Sequence, residues 1–193
     1  MRLRNRKARG RDAGGWLALI GVLSCVPSGK PGAEPGVARA WLRATGSLTA
    51  RLQQSGPTTV QLLRQGLFQP HRDERRVLHL PVGGVTLVRE VVLRVQGRVA
   101  VYAHTVANRA ALKLLRRAGR RPLATVLFAD PRVKAGPLYY RRIDARHPLH
   151  RAATAWCGGA VPRRLAARRA LFTRGAARLL VTEVFLPWAR VCA

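Results

Sequence analysis

Two charged residues stand on rows of apolar side chains in this 193-residue chain. Side chains alternate across a strand. In the run 86–95 (TLVREVVLRV), Leu87, Arg89, Val91, Leu93 and Val95 therefore share one face. In the run 179–187 (LLVTEVFLP), Leu179, Val181, Glu183 and Phe185 share another. A charge buried alone costs on the order of several kcal/mol, so Arg89 and Glu183 each require a partner or a ligand. Three arrangements meet that need: a structural ion pair between the two, a half-solvated edge strand, or a polar ligand held between them. Glu90 lies on the opposite row with Val88 and Val92, where it is placed to neutralise a different arginine.

Other catalytic signatures are missing. Gly83-Gly84 and Gly158-Gly159 lack the lysine and helix of a phosphate loop, and there is no G-x-S-x-G elbow. The five histidines form no H-E-x-x-H pattern, and Pro148 between His147 and His150 suggests a loop pair rather than helix-borne ligands. Cys25, Cys157 and Cys192 are too few for a disulfide framework or a four-ligand zinc site, and Cys157 reads as a bland thiol. The expected site uses no metal and no cofactor.

Composition narrows the class. The formal net charge is +28, and 32 of the 36 basic residues are arginine. A polyanion rewards such charge through counterion release. Yet the arginines are spread along the whole chain and aromatics make up 6%, so no specific nucleic-acid partner is expected. No stretch reaches the ~20 apolar residues of a membrane span. Residues 1–11 are basic and 16–26 apolar, which superficially matches a secretory signal, but no Ala-x-Ala site directly follows the apolar run. The reading is an unprocessed basic tail leading into a first strand, in a cytoplasmic, monomeric protein. The odd cysteine count suits reducing surroundings.

The elements that must position Arg89 and Glu183 are legible in part. Residues 1–36 read as the basic tail plus a Pro/Gly loop (27–36), and 37–193 as the folded domain. Helical spacing of Val37, Trp41, Ala44, Leu48 and Leu52 predicts a helical pair over 37–45 and 48–55. Gly46 ends the first member in a left-handed conformation and Ser47 caps the second, which makes this pair a candidate lid. Strands are expected at 58–64, 77–82 and 86–95, then at 98–106 after a Gln96-Gly97 hairpin turn. A helix capped by Asn108 runs over 108–118 and stops at Gly119, with a short helix near 124–128. Strands are expected at 138–143 and 179–187, and 145–170 reads as irregular. Hairpins and long excursions rather than βαβ units predict an α+β fold, a single antiparallel sheet with helices packed on one face.

Five phrases occur in order over about residues 41–187: Gly46-Ser47-Leu48-Thr49-x-Arg51-Leu52, Leu87 to Leu93 (LVREVVL), Ala103-x-Thr105-Val106, Arg121-Pro122-Leu123 with Leu127-Phe128, and Leu180 to Pro187 (LVTEVFLP). Together they resemble the chorismate lyase family. The resemblance implies cofactor-free conversion of chorismate to 4-hydroxybenzoate and pyruvate, in bacterial ubiquinone synthesis, in a closed pocket beneath a helical flap. It implies Arg89 and Glu183 as the catalytic pair, and Leu48, Arg89, Leu123 and Glu183 as the substrate-binding set. Ala166-Ala167-Arg168-Arg169-Ala170 stands where the family carries Trp-Gly-Arg-Arg-Ser, His104 where arginine is common, and Ala124 where glycine commonly follows the leucine. The same fold also serves as an effector-binding domain in transcription regulators, which gives a non-catalytic sensor as the alternative reading.

Overall fold

The computed structural model describes residues 11, 15–18, 41–119, 121–157 and 162–187. One antiparallel sheet organises the chain. Its strands are β1 (Leu17–Ala18), β2 (Thr58–Phe68), β3 (Thr86–Val95), β4 (Arg98–Ala107), β5 (Lys134–Ala135), β6 (Tyr139–Asp144), β7 (Arg164–Arg174) and β8 (Ala177–Phe185). The order across the sheet is β1-β6-β7-β8-β4-β3-β2, with β5 pairing the end of β7. The helices are α1 (Leu48–Gln54), α2 (Arg72–Leu78), α3 (Leu112–Ala118), α4 (Ala124–Leu127) and α5 (Pro148–Thr154). The expected class, α+β around a single antiparallel sheet, is the one the chain forms.

The helices divide between the two faces, whereas the sequence suggested one. Leu48 and Leu52 of α1 pack with Val91, Leu93 and Ala103, while Leu114 and Leu115 of α3 and Leu127 of α4 pack with Leu87 and Leu179. On the reverse face, Leu78 of α2 packs with Val88, Val106 and Leu180, and Leu149 and Ala153 of α5 pack with Val92, Tyr102 and Val184. Strands β3, β4 and β8 are apolar on both rows, so each face needs a cover. Trp16, inside the segment set apart as a tail, is fully buried in the α5 cluster, and β1 beside it pairs with Tyr139 and Tyr140. The Pro/Gly loop at 27–36 lies outside the described residues.

Several local expectations hold. Gln96 and Gly97 take φ of 50° and 79°, the left-handed pair that a two-residue hairpin turn demands. Asn108 Oδ1 accepts from Ala111 N at 3.1 Å, though a 3₁₀ turn at Arg109–Ala111 precedes α3. Gly46 sits at φ 78°, and Ser47 Oγ accepts from Ala50 N at 3.2 Å to start α1. The preceding helical turn is described over 41–43 and ends there; residues 37–40 lie outside the described residues.

Two expectations fail. The strand at 77–82 is instead the end of α2 and a loop. Asp73 and Glu74 favour the first turn of α2, arginines its last turn, and Glu74 and Leu78 share a buried face one turn apart, so helical chemistry outweighs the β-branched valines. The stretch 145–170 is not irregular: it holds α5 and the first part of β7. Pro148 starts α5 at its first position, where its missing N–H costs nothing, and His147 caps it through Nδ1, which accepts from Leu149 N. His150 Nε2 meets the Pro162 carbonyl instead of joining His147.

Candidate active site

Strand register carries the two charges to one place. Arg89 pairs with Thr105, Thr105 with Val181, and Val181 with Ala170. The adjacent row runs Val91, Ala103, Glu183, Arg168. Residues opposite one another in a ladder share a face, so Arg89 and Glu183 emerge from the same side of the sheet, two strands apart or roughly 10 Å laterally. Above them lies a cavity of about 90 Å³ closed by Gly46, Leu48 and Thr49 from the α1 segment and by Leu123, Ala124 and Phe128 from the α4 segment. That volume exceeds several-fold the ~15 Å³ that one water needs. All four expected residues, Leu48, Arg89, Leu123 and Glu183, line it.

The two charges do not pair with each other. Arg89 is 2% exposed and donates only to neutral acceptors among the described residues: Gln65 Oε1 at 2.8 Å, the Arg121 carbonyl at 3.0 Å and the Gly119 carbonyl. Burial lowers its pKa from the ordinary arginine value. Three neutral acceptors fix the plane of the guanidinium without cancelling its charge. A cation so placed beside a cavity is a receptor for an anion.

Glu183 takes a different partner. Arg168 Nε donates to its Oε2 at 2.5 Å, and the Arg168 Nη1 donates to the carbonyls of Trp41 at 2.8 Å and Ala44 at 2.5 Å. Arg168 thereby orients the Glu183 carboxylate and ties the turn before Gly46 to the sheet. Among the described residues Arg168 meets Glu183 through Oε2, which leaves Oε1 to accept from a ligand hydroxyl. The sequence reading missed this role because it left 145–170 without a strand. The alternation Leu165, Ala167, Arg169 against Ala166, Arg168, Ala170 was the available signal, and it separates the two arginines cleanly: Arg168 lines the cavity, whereas Arg169 meets Asp73 at 2.7 Å and the Trp16 ring on the reverse face.

The row behind the cavity is also polar. Arg64 donates twice to Glu90, at 2.6 Å each, and Glu90 meets His104 Nδ1 at 3.1 Å. Burial alone would raise the Glu90 pKa, but hydrogen bonds from His104 and Arg64 hold it down at about 2. Burial alone would lower that of His104, but Glu74 and Glu90 raise it to about 9.

Comparison with known proteins identifies the family. The family model for chorismate lyase matches residues 32–192. A probable chorismate pyruvate-lyase of Ralstonia nicotianae is 45% identical over 76% of this chain and 80% of its own length. That of Halorhodospira halophila is 39% identical over 96% of both. The chain belongs to the chorismate lyase family. Solved structures show the same fold at low identity. The ligand-binding domain of a putative GntR-family transcriptional regulator from Bordetella bronchiseptica matches with TM-score 0.51 at 16% identity, covering 68% of this chain and 84% of that one. PhnF from Mycobacterium smegmatis matches with TM-score 0.55 at 16% identity, covering 76% and 66%.

Proposed function

We propose that the protein is a chorismate pyruvate-lyase, converting chorismate to 4-hydroxybenzoate and pyruvate, and that Arg89 and Glu183 are its principal polar groups. The observation that carries this reading is Arg89: a buried guanidinium lining a cavity, held by neutral acceptors, with no carboxylate beside it among the described residues. Chorismate supplies carboxylates for a bidentate clamp there. Its ring hydroxyl donates to Glu183, whose carboxylate Arg168 holds in place. Leu48 and Leu123 supply apolar surface for the ring.

In the reaction the bond from the ring carbon to the ether oxygen breaks and its electron pair leaves with the enolpyruvate oxygen. The ring carbon bearing the hydroxyl gives up its hydrogen as a proton so that the ring becomes aromatic, and the enolpyruvate takes up a proton on carbon to become pyruvate. Aromatisation makes the step strongly downhill. The protein's part is to hold the reactive conformer and keep water away. None of the residues lining the cavity is assigned a covalent role. Chorismate is an intracellular metabolite, which supports a cytoplasmic setting, and ubiquinone synthesis is the route such a product serves.

The test is direct. Purified protein incubated with chorismate should release 4-hydroxybenzoate and pyruvate in equal amounts, followed by absorbance and a coupled pyruvate assay. Binding of 4-hydroxybenzoate without any turnover of chorismate would overturn the lyase reading in favour of a sensor.

A further inference from the structure

On the face of the sheet away from the cavity, three potential ligands converge from two separate parts of the sequence. His71 and Glu74 stand at the start of α2, and His104 is central in β4. One nitrogen or oxygen atom from each lies within 4.8 Å of the other two. We infer that His71, Glu74 and His104 form a binding site for a divalent transition-metal ion of zinc type, which pins α2 to the sheet.

Four observations support the site. First, Glu74 Oε1 and His104 Nε2 are buried and face each other at the ion-pair distance of 3.2 Å, yet the contact lacks hydrogen-bond alignment and neither atom makes a hydrogen bond among the described residues. Their hydrogen-bonding capacity is therefore incompletely used as they stand. The separation is close to the edge of a tetrahedron with metal–ligand bonds of ~2.0–2.1 Å. Second, the remaining atoms of both side chains are committed elsewhere. Glu74 Oε2 accepts from His71 N at 2.8 Å, so Oε1 is the oxygen left to ligate.

Third, His104 Nδ1 meets Glu90 Oε1 at 3.1 Å, and Glu90 is itself held by Arg64. A carboxylate on one imidazole nitrogen fixes the tautomer that leaves the other nitrogen's lone pair for a metal, the arrangement seen behind histidine ligands. Fourth, His71 is half-buried and its ring stacks on that of His104 at 5.5 Å between centroids, which holds a third donor beside the other two. A dication also offsets the two carboxylates, Glu74 and Glu90, that face His104.

The set consists of imidazoles and a carboxylate, the donors zinc and its neighbours prefer; magnesium and calcium favour oxygen alone. No residue of the cavity takes part, so the metal's role is structural. It joins the β2–β3 connection to the sheet directly behind the row that carries Arg89.

Untagged protein is stripped with chelator, confirmed folded by circular dichroism, and titrated with zinc alone at pH 7.5 by calorimetry, with metal content read by mass spectrometry after desalting. One zinc per chain is expected, with a melting temperature raised by several degrees. His71→Ala, at a half-buried position outside the apolar core clusters, should remain folded and bind zinc at least tenfold more weakly. Glu90→Gln should weaken binding by about 10–100-fold without touching the metal. Retention of less than a tenth of an equivalent with no thermal shift would overturn the inference. So would wild-type affinity in His71→Ala, which would place the zinc on other residues. None of these readouts depends on turnover, so failure here is separate from failure of the lyase reading.

Discussion

Arg89→Met removes the guanidinium while keeping an apolar chain of similar length, and separates charge recognition from packing. In the ligand-free protein, two opposing effects follow. The Gln65 amide oxygen and the carbonyls of Gly119 and Arg121 lose their donor. Against that, a charge without a carboxylate partner among the described residues no longer has to be buried, an unfavourable burial already reflected in its lowered pKa. These offset, so the fold should survive with a modest change in melting temperature. In the complex nothing offsets the loss, because the ligand carboxylate enters the cavity with no cation to meet it. Removing one member of a buried charge pair costs about 2–5 kcal/mol, or roughly 30-fold to several thousand-fold in affinity. Calorimetric titration with 4-hydroxybenzoate reads this directly, and chorismate turnover should fall at least as far. Arg89→Lys should rescue poorly, since a point charge cannot reproduce a planar fork anchored on three acceptors. A folded Arg89→Met protein that binds 4-hydroxybenzoate within threefold of wild type would refute the assignment of Arg89 as anion receptor.

Arg168→Met strips Glu183 of its partner and orphans the Trp41 and Ala44 carbonyls, so a stability loss of about 3–5 kcal/mol by urea titration is expected, with activity falling further. In Arg168→Met/Glu183→Gln the two losses should be strongly non-additive, and simple additivity would show that the pair is not coupled. Gly46→Ala meets no atom within 4 Å but forces a side chain into φ 78°, which costs about 1–2 kcal/mol; product release should change more than the chemical step, measured by comparing single-turnover with steady-state rates. Stability measured in chelator should depend on pH through His104 and Glu90. His104 is raised to about 9 in the folded protein from about 6.5 unfolded, so its contribution is complete below pH ~6.5 and is lost as pH rises through about 9. Glu90 is held near 2 against about 4.5 unfolded, so its contribution is complete above pH ~4.5 and is lost as pH falls toward 2. A urea midpoint that rises between pH 7 and 9 would contradict the His104 assignment.

The sequence alone determined what local rules control. Period-2 alternation marked β3 and β8 and singled out Arg89 and Glu183 as charges on apolar rows, because a strand's faces are decided by parity before any partner is known. Turn and cap chemistry fixed Gln96-Gly97, Ser47, Asn108 and Gly119, since each depends on neighbours within a few residues. The resemblance to chorismate lyases added Leu48 and Leu123, which no periodicity distinguishes from ordinary core leucines. Tertiary structure decided the rest. Whether Arg89 and Glu183 pair or stand apart depends on register through β4, which spacing within either strand does not contain. Valines near residue 77 suggested a strand, but α2 wins because it buries Leu78 on the reverse face of a sheet that is apolar on both sides. The meeting of His71 and Glu74 with His104, which lies 33 and 30 residues further along the chain, exists only because α2 docks over β4. Local chemistry is written in adjacent residues. Partner choice is written in pairings whose loop-closure and packing terms are settled only when the whole sheet forms.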